Sequence, residues 1–160
     1  MKVYSGTRVF DRESTPRGEA SVFVENVVDD EPSDSRPLTH IPYHSPDGFE
    51  WSYAGSGPAD LALAILADYF EEPPEFVLAA LRSMWTPRSK AAALHQSFKD
   101  QFVATEHRDD WQLPGDEIEA WLQTPDIQAR LAELAQEEEE LAEIRRLEEE
   151  AERADAGAAD

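Results

Sequence analysis

The sequence predicts an α+β fold: a small antiparallel β-sheet of about three strands, covered by three to four helices and followed by a long acidic C-terminal helix. Three observations predict it. Apolar and polar residues alternate in short segments near the start, and apolar residues recur at helical spacing from Gly57 to Leu122. The last 39 of the 160 positions hold no aromatic residue but many acids.

Lys2 to Phe10 sets Val3, Ser5, Thr7 and Val9 on one face and Tyr4, Arg8 and Phe10 on the other, the period of a strand. Ala20 to Val28 is rich in β-branched side chains, and Pro16 and Gly18 supply the turn of an antiparallel hairpin. Asp29 to Pro46, with four prolines, reads as a long loop. Phe49-Glu50-Trp51-Ser52-Tyr53 places three aromatic rings at a period of two and is expected to be the third strand.

A helix is expected next, with Gly57 as N-cap, Pro58 at its first position and Asp60 facing the orphan amides. Leu61 to Phe70 is apolar nearly all round, the mark of a central helix, and Pro73-Pro74 ends it. A second helix is predicted over Glu75 to Trp85, carrying Phe76, Leu78, Ala79, Leu81 and Met84, with Thr86-Pro87 closing it. A third begins near Arg88 with the stripe Ala91, Leu94, Phe98 and Phe102. Leu113-Pro114-Gly115 reads as a break, and Asp116 opens a short helix with Ile118, Trp121 and Leu122 inward.

The chain thus divides into a globular domain over residues 1–124 and an acidic helical tail over 125–160, frayed after about Arg153. Residues 1–125 hold 22 acids and 10 bases, whereas 126–160 hold 13 and 4, more than twice as negative per residue. In the tail, Ile127, Leu131, Leu134 and Leu141 form a partial heptad seam, and Ile144, Leu147 and Ala151 a second in a shifted register. Asp126 with Arg130 and Glu149 with Arg153 are i,i+4 pairs, worth about 0.2–0.5 kcal/mol each.

The net charge of −21 argues against direct nucleic-acid binding, which uses a basic face to displace phosphate counterions. No stretch is apolar enough to span a membrane, and no secretory h-region opens the chain. The absence of cysteine excludes thiolate chemistry and disulfides and fits a cytoplasmic location. No catalytic motif is present, so neither a catalytic residue nor a cofactor is assigned.

Two places merit weighing as sites. The corner formed by Trp51, Tyr53, Gly55, Ser56 and Gly57 could offer helix N-terminal amides to a phosphate or carboxylate. A tight strand-to-helix turn needs the same residues, however, and Ser56 lacks the flanking glycines of a nucleophile elbow. His40, His44 and Asp47 are the nearest approach to a metal set, but they lie in a Pro-rich loop, and no metal is expected. His95 and His107 read as ordinary, and the adjacent acids Glu71-Glu72, Asp109-Asp110 and Asp116-Glu117 are what chance produces among 35 acids.

The segment His44-Ser45-Pro46-Asp47-Gly48-Phe49-Glu50-Trp51-Ser52-Tyr53-Ala54-Gly55-Ser56-Gly57-Pro58-Ala59-Asp60-Leu61-Ala62-Leu63 resembles a family of small proteins of unknown function from bacteriophages and bacterial mobile elements. The likeness extends to Val3 to Arg8, His95 to Lys99, and Trp111-Gln112-Leu113 followed by Ile118 and Trp121-Leu122, with Ser52 and Ala54 where glycines belong, Pro73 to Arg88 as an insertion and the acidic tail outside the pattern. It implies a setting of phage–host conflict in a bacterial cytoplasm and carries over no catalytic residue.

Acidity and resemblance together lead to the expectation of a non-enzymatic inhibitor. Its acidic surface, Glu137, Glu138, Glu139, Glu140, Glu143, Glu148, Glu149 and Glu150, would mimic DNA and engage a basic nucleic-acid-binding protein or effector complex, such as a restriction or CRISPR effector. The alternatives are a small-molecule or nucleotide-binding module using the Trp51–Gly57 corner, and an assembly protein whose tail makes a homodimer.

Overall fold

The computed structural model describes residues 1–13, 16–85 and 88–159. Among them the fold is α+β. A four-stranded antiparallel sheet is formed by β1 (Lys2–Val9), β2 (Glu19–Val28), β3 (Glu31–Pro37) and β4 (Asp110–Pro114), in the order β3-β2-β1-β4. Five helices accompany it: α1 (Ser56–Tyr69), α2 (Pro74–Arg82), α3 (Lys90–Phe98), α4 (Gly115–Leu122) and α5 (Pro125–Ala158). The predicted closing of α2 at Thr86-Pro87 lies outside the described residues; α2 itself ends at Arg82.

The hairpin of β1 and β2 forms as its alternation predicts, with Tyr4 opposite Val24. Tyr4, Val22 and Val24 are buried on the face that meets α1, from which every residue between Gly57 and Ala67 is excluded from solvent. The Tyr4 hydroxyl donates to Asp68 Oδ2 (2.8 Å), Lys2 Nζ donates to the Asp68 carbonyl (2.7 Å), and Arg36 donates to Oδ1. Burial pushes the Asp68 carboxyl up, but the bonds from Arg36, Tyr4 and Lys2 outweigh it and hold the group below its usual value. Burial and the neighbouring carboxylate push the Tyr4 phenol well above its ordinary range.

Two strands differ from expectation. Phe49 to Tyr53 is a loop, because Ser52 sits at φ +77, which breaks the extended chain, and its N–H donates to the Val103 carbonyl (3.1 Å). The third strand is instead β3, inside the segment read as a loop. Asp29 and Asp30 both adopt positive φ, as in a type I′ turn, and fold β3 back onto β2. The fourth strand, β4, occupies the predicted break; Trp111 and Leu113 are its buried alternate residues, and it pairs with β1.

The helices also shift in detail. The N-cap of α1 is Gly55 rather than Gly57, which places Pro58 third in the helix. In α2 the fully buried residue is Val77, while Met84 and Trp85, beyond its end, are 73% and 70% exposed. The α3 stripe is buried at Ala91, Leu94 and Phe98, and the chain then widens into a π-helical turn over Lys99–Val103 that carries Phe102. Helix α5 continues to Ala158, past the expected fraying point at Arg153.

Candidate functional site

Helix α5 has two halves in different surroundings. Up to Leu141 it lies on the body, where Ile127, Leu134 and Leu141 are buried and Leu131 packs against the core. The first seam therefore faces this chain's own core. Beyond Leu141 only Arg145 is partly covered, and residues 142–158 present about 25 Å of helix to solvent.

The eight acids singled out on this helix fall into two groups. Glu137 pairs with Arg88 (3.1 Å) and Arg130 (3.4 Å), Glu138 with Arg145 (3.4 Å), and Glu149 with Arg153 (3.4 Å). Glu143 and Glu150 share Arg146 at 2.6 and 3.5 Å, and its hydrogen bonds hold the Glu143 carboxyl below its usual value. Glu138 also accepts the Arg88 backbone N–H (2.8 Å). Glu139, Glu140 and Glu148 have no cationic partner among the described residues, nor do Glu152 and Asp155. The Glu149–Arg153 pair forms as predicted, whereas Arg130 turns forward to Glu133 (3.1 Å) instead of back to Asp126.

The corner residues do not converge. Trp51 is buried beneath the Arg8 guanidinium, 4.4 Å from its ring centre, and its Nε1 donates to the Arg108 carbonyl (2.9 Å). Tyr53, Ser56 and Gly57 face an open depression that also holds Asp11, Glu13, Glu19, Asp47 and Glu50, with Arg17 over the Tyr53 ring. Glu50 is paired with Arg8 (2.6 Å), and the acids of the depression still outnumber the arginines that reach it, which opposes an anionic ligand. Trp51 lines a separate cavity of about 320 Å³ with Ile65, Phe102 and Trp111, whose bordering Arg108 is already paired with Glu106 (2.6 Å).

Asp60 corrects its sequence assignment. It does not serve the α1 amides but is fully buried, with Oδ1 accepting the His44 N–H (2.8 Å) and Oδ2 accepting the Ser45 N–H (3.0 Å) and contacting His40 Nε2 (2.9 Å). His44 Nε2 in turn lies 3.0 Å from Nε2 of buried His95, whose Nδ1 lies 2.7 Å from the Ala92 carbonyl. Burial lowers the His95 pKa against the opposing Ala92 bond, and the nearby His44 adds to the lowering. This cluster fastens the 40–45 loop across α1 to α3. Sequence reasoning missed it; the one available signal was a carboxylate inside an otherwise apolar helix, which needs partners when buried. His107 is exposed and apart, and Asp47 faces the open depression. Among the described residues no group of three or more His, Asp or Glu side chains is placed to hold a metal ion.

Glu72, one of the adjacent acids, caps α3: it accepts from the Ser89 hydroxyl (3.0 Å) and from the N–H groups of Lys90 (3.1 Å) and Ala91 (2.8 Å).

A sequence model of a family of unknown function (DUF6166) matches residues 4–75, a stretch that contains the quoted segment, most of β1, all of β2 and β3, and α1. Helices α3, α4 and α5 lie outside the match. No curated protein and no solved structure matches the chain. Among the described residues no helix is long and apolar enough to cross a membrane.

Proposed function

We propose that this chain is a binding protein rather than an enzyme, and that helix α5 occupies the phosphate-holding surface of a basic protein that handles nucleic acid. In its sharpest form the partner is a host restriction or CRISPR effector and the chain a phage or mobile-element inhibitor, as the resemblance of the 44–63 segment suggests. The observation that carries the proposal is the solvated half of α5, which follows the buried Leu134 and Leu141 and bears Glu148, Glu152 and Asp155 without a cationic partner among the described residues.

Between Glu137 and Asp155 ten acids follow one another along the helix, roughly one per 3 Å of axis. Duplex DNA carries one charge per about 1.7 Å, so before its arginines are subtracted the helix reaches somewhat over half that density. A lysine- or arginine-lined groove attracts such a rod, and the encounter rate falls steeply with salt.

Affinity capture from a bacterial lysate with the full chain as bait tests the proposal. The expected result is a basic protein that duplex DNA competes away and whose binding weakens steeply as salt rises. Binding that is flat in salt, or untouched by DNA, refutes it. The corner reading has one observation in its favour, an α1 N-terminus with no side-chain cap, and the five surrounding carboxylates set against a nucleotide.

A further inference from the structure

On the solvated half of α5 the two large apolar residues, Ile144 and Leu147, continue into a line of alanines, while Ala142 and Ala156 fall on the opposite side. Ile144, Leu147, Ala151, Ala154 and Ala158 follow at steps of three and four, so they form one stripe along one side of the helix. Ile144 and Leu147 are 41% and 52% exposed. Two groups extend the stripe toward the body. Trp85, 70% exposed, stands beside it, and a cavity of about 370 Å³ lies between Trp85, Leu141, Ile144, Arg145 and Glu148, with Arg145 paired to Glu138 (3.4 Å).

The borders of the stripe differ in charge. On one side Glu148, Glu152 and Asp155, spaced i, i+4, i+7, have no cationic partner among the described residues. On the other, Glu143 and Glu150 are both tied to Arg146. An apolar seam with an uncompensated acidic edge calls for an apolar seam with a basic edge.

We propose that this stripe, with Trp85 at its root, docks an amphipathic helix of a partner protein that carries lysine or arginine along one border of its apolar face. The proposal rests on the binding role argued above and names the chemistry of the partner surface. A second copy of this chain is a poor occupant. Parallel pairing would set Glu143 against Glu148 and Glu150 against Asp155 of the other copy, and antiparallel pairing also brings acid to acid. The seam spans only about two heptads, and three of its five residues are alanine, too little apolar area to outweigh that repulsion. A basic helix turns the same flanking positions into attractions, while large side chains on its apolar face can fill the space above the alanines.

The test uses the full chain and two synthetic peptides of identical composition, rich in leucine and lysine. One has leucine at the a and d positions and lysine along one border of that stripe; in the other the order is scrambled so that no stripe exists. The patterned peptide is expected to bind at least about tenfold more tightly than the scrambled one. The difference should vanish in the I144S/L147S variant and shrink in Trp85→Ala, all of these being exposed positions whose change leaves the circular dichroism and melting temperature unaltered. Equal binding of the two peptides, weakened by salt, overturns the seam but leaves the charged-surface reading standing. Binding of neither peptide overturns both. Dimerisation of the protein alone in sedimentation, abolished by I144S/L147S, assigns the seam to a second copy and overturns the proposal.

Discussion

The buried carboxylate of Asp60 offers the strictest check on the fold around the 40–60 segment of this chain. It is wholly excluded from water and its two oxygens serve three groups: the N–H groups of His44 and Ser45 and the His40 ring. Asp60→Ala removes all three interactions and leaves two backbone donors facing an apolar helix. Hydrogen bonds to a charged group contribute roughly 1.5–3 kcal/mol each, and an orphaned buried donor costs roughly 1–3 kcal/mol. Against this stands the relief of a buried charge, so a net loss of about 3–5 kcal/mol follows, as for other broken buried pairs. For a chain of this size each kcal/mol lowers the melting temperature by about 2–4 °C, so a fall of about 6–20 °C is expected. Asp60→Asn keeps the shape, but its NH2 must oppose one of the donors, and a loss of about 1–3 kcal/mol follows. Urea and thermal unfolding followed by circular dichroism measure both. An Asp60→Asn protein as stable as the parent, or a loss below about 1 kcal/mol for Asp60→Ala, refutes the account of what holds the 40–45 loop.

Three further outcomes are expected. Because the folded state holds the His95 pKa below its ordinary value, the unfolded chain binds more protons, and stability should fall as pH drops below about 6.5. The lowered Asp68 carboxyl adds a second loss that begins below about 3.9. Urea midpoints across pH 3–8 should show both steps, and His95→Gln should flatten the first. Glu138→Gln should lower stability by about 0.5–1 kcal/mol, since Glu138 accepts the Arg88 N–H and pairs with Arg145, while Glu139→Gln should leave the urea midpoint unchanged. Gly6→Ala should destabilise by about 1–3 kcal/mol, because a Cβ there would overlap the Trp111 indole packed on Gly6, with the loss visible in near-ultraviolet dichroism.

Which parts of the fold could be read in advance follows from what carries a periodic signal. The β1–β2 hairpin was legible because one side of it is buried, so burial writes its period into the residues, and α1 because it is buried all round from Gly57 to Ala67, so an unbroken apolar run marks it. Strand β3, Glu-Pro-Ser-Asp-Ser-Arg-Pro, is exposed at every position and lies at a sheet edge, where proline is tolerated, so no alternation marks it. Phe49, Trp51 and Tyr53 imitate a strand for the opposite reason. Trp51 is buried against Arg8 and Trp111, but the chain that bears it is a loop pinned by Ser52, and its alternation reflects separate packing sites. Strand β4 hid because five residues ending in Leu-Pro, with Gly115 next, look like a stop, and only its distant partner β1 makes it a strand. The acids of α5 were visible one by one, yet their arginine partners were not. Arg88 comes from outside the helix, and the bond from Arg130 to Glu137 spans two turns.

That pairing changes what the charge of α5 means. Glu137 to Glu140 in a row would oppose helix formation by mutual repulsion, yet here Glu137 and Glu138 are answered by Arg88, Arg130 and Arg145, and Leu134 and Leu141 hold this stretch on the core. The docked half supplies the costly nucleus, so residues 142–158 need only propagate a helix already begun, which a free peptide of that length would do poorly in water. Glu137 and Glu138 are therefore structural as much as electrostatic, and the charge available to a partner is that of Glu139, Glu140, Glu148, Glu152 and Asp155. An effect of mutating the acidic run can be assigned to recognition only when the paired and unpaired acids are changed separately. The unpaired set should alter binding while the melting temperature stays fixed.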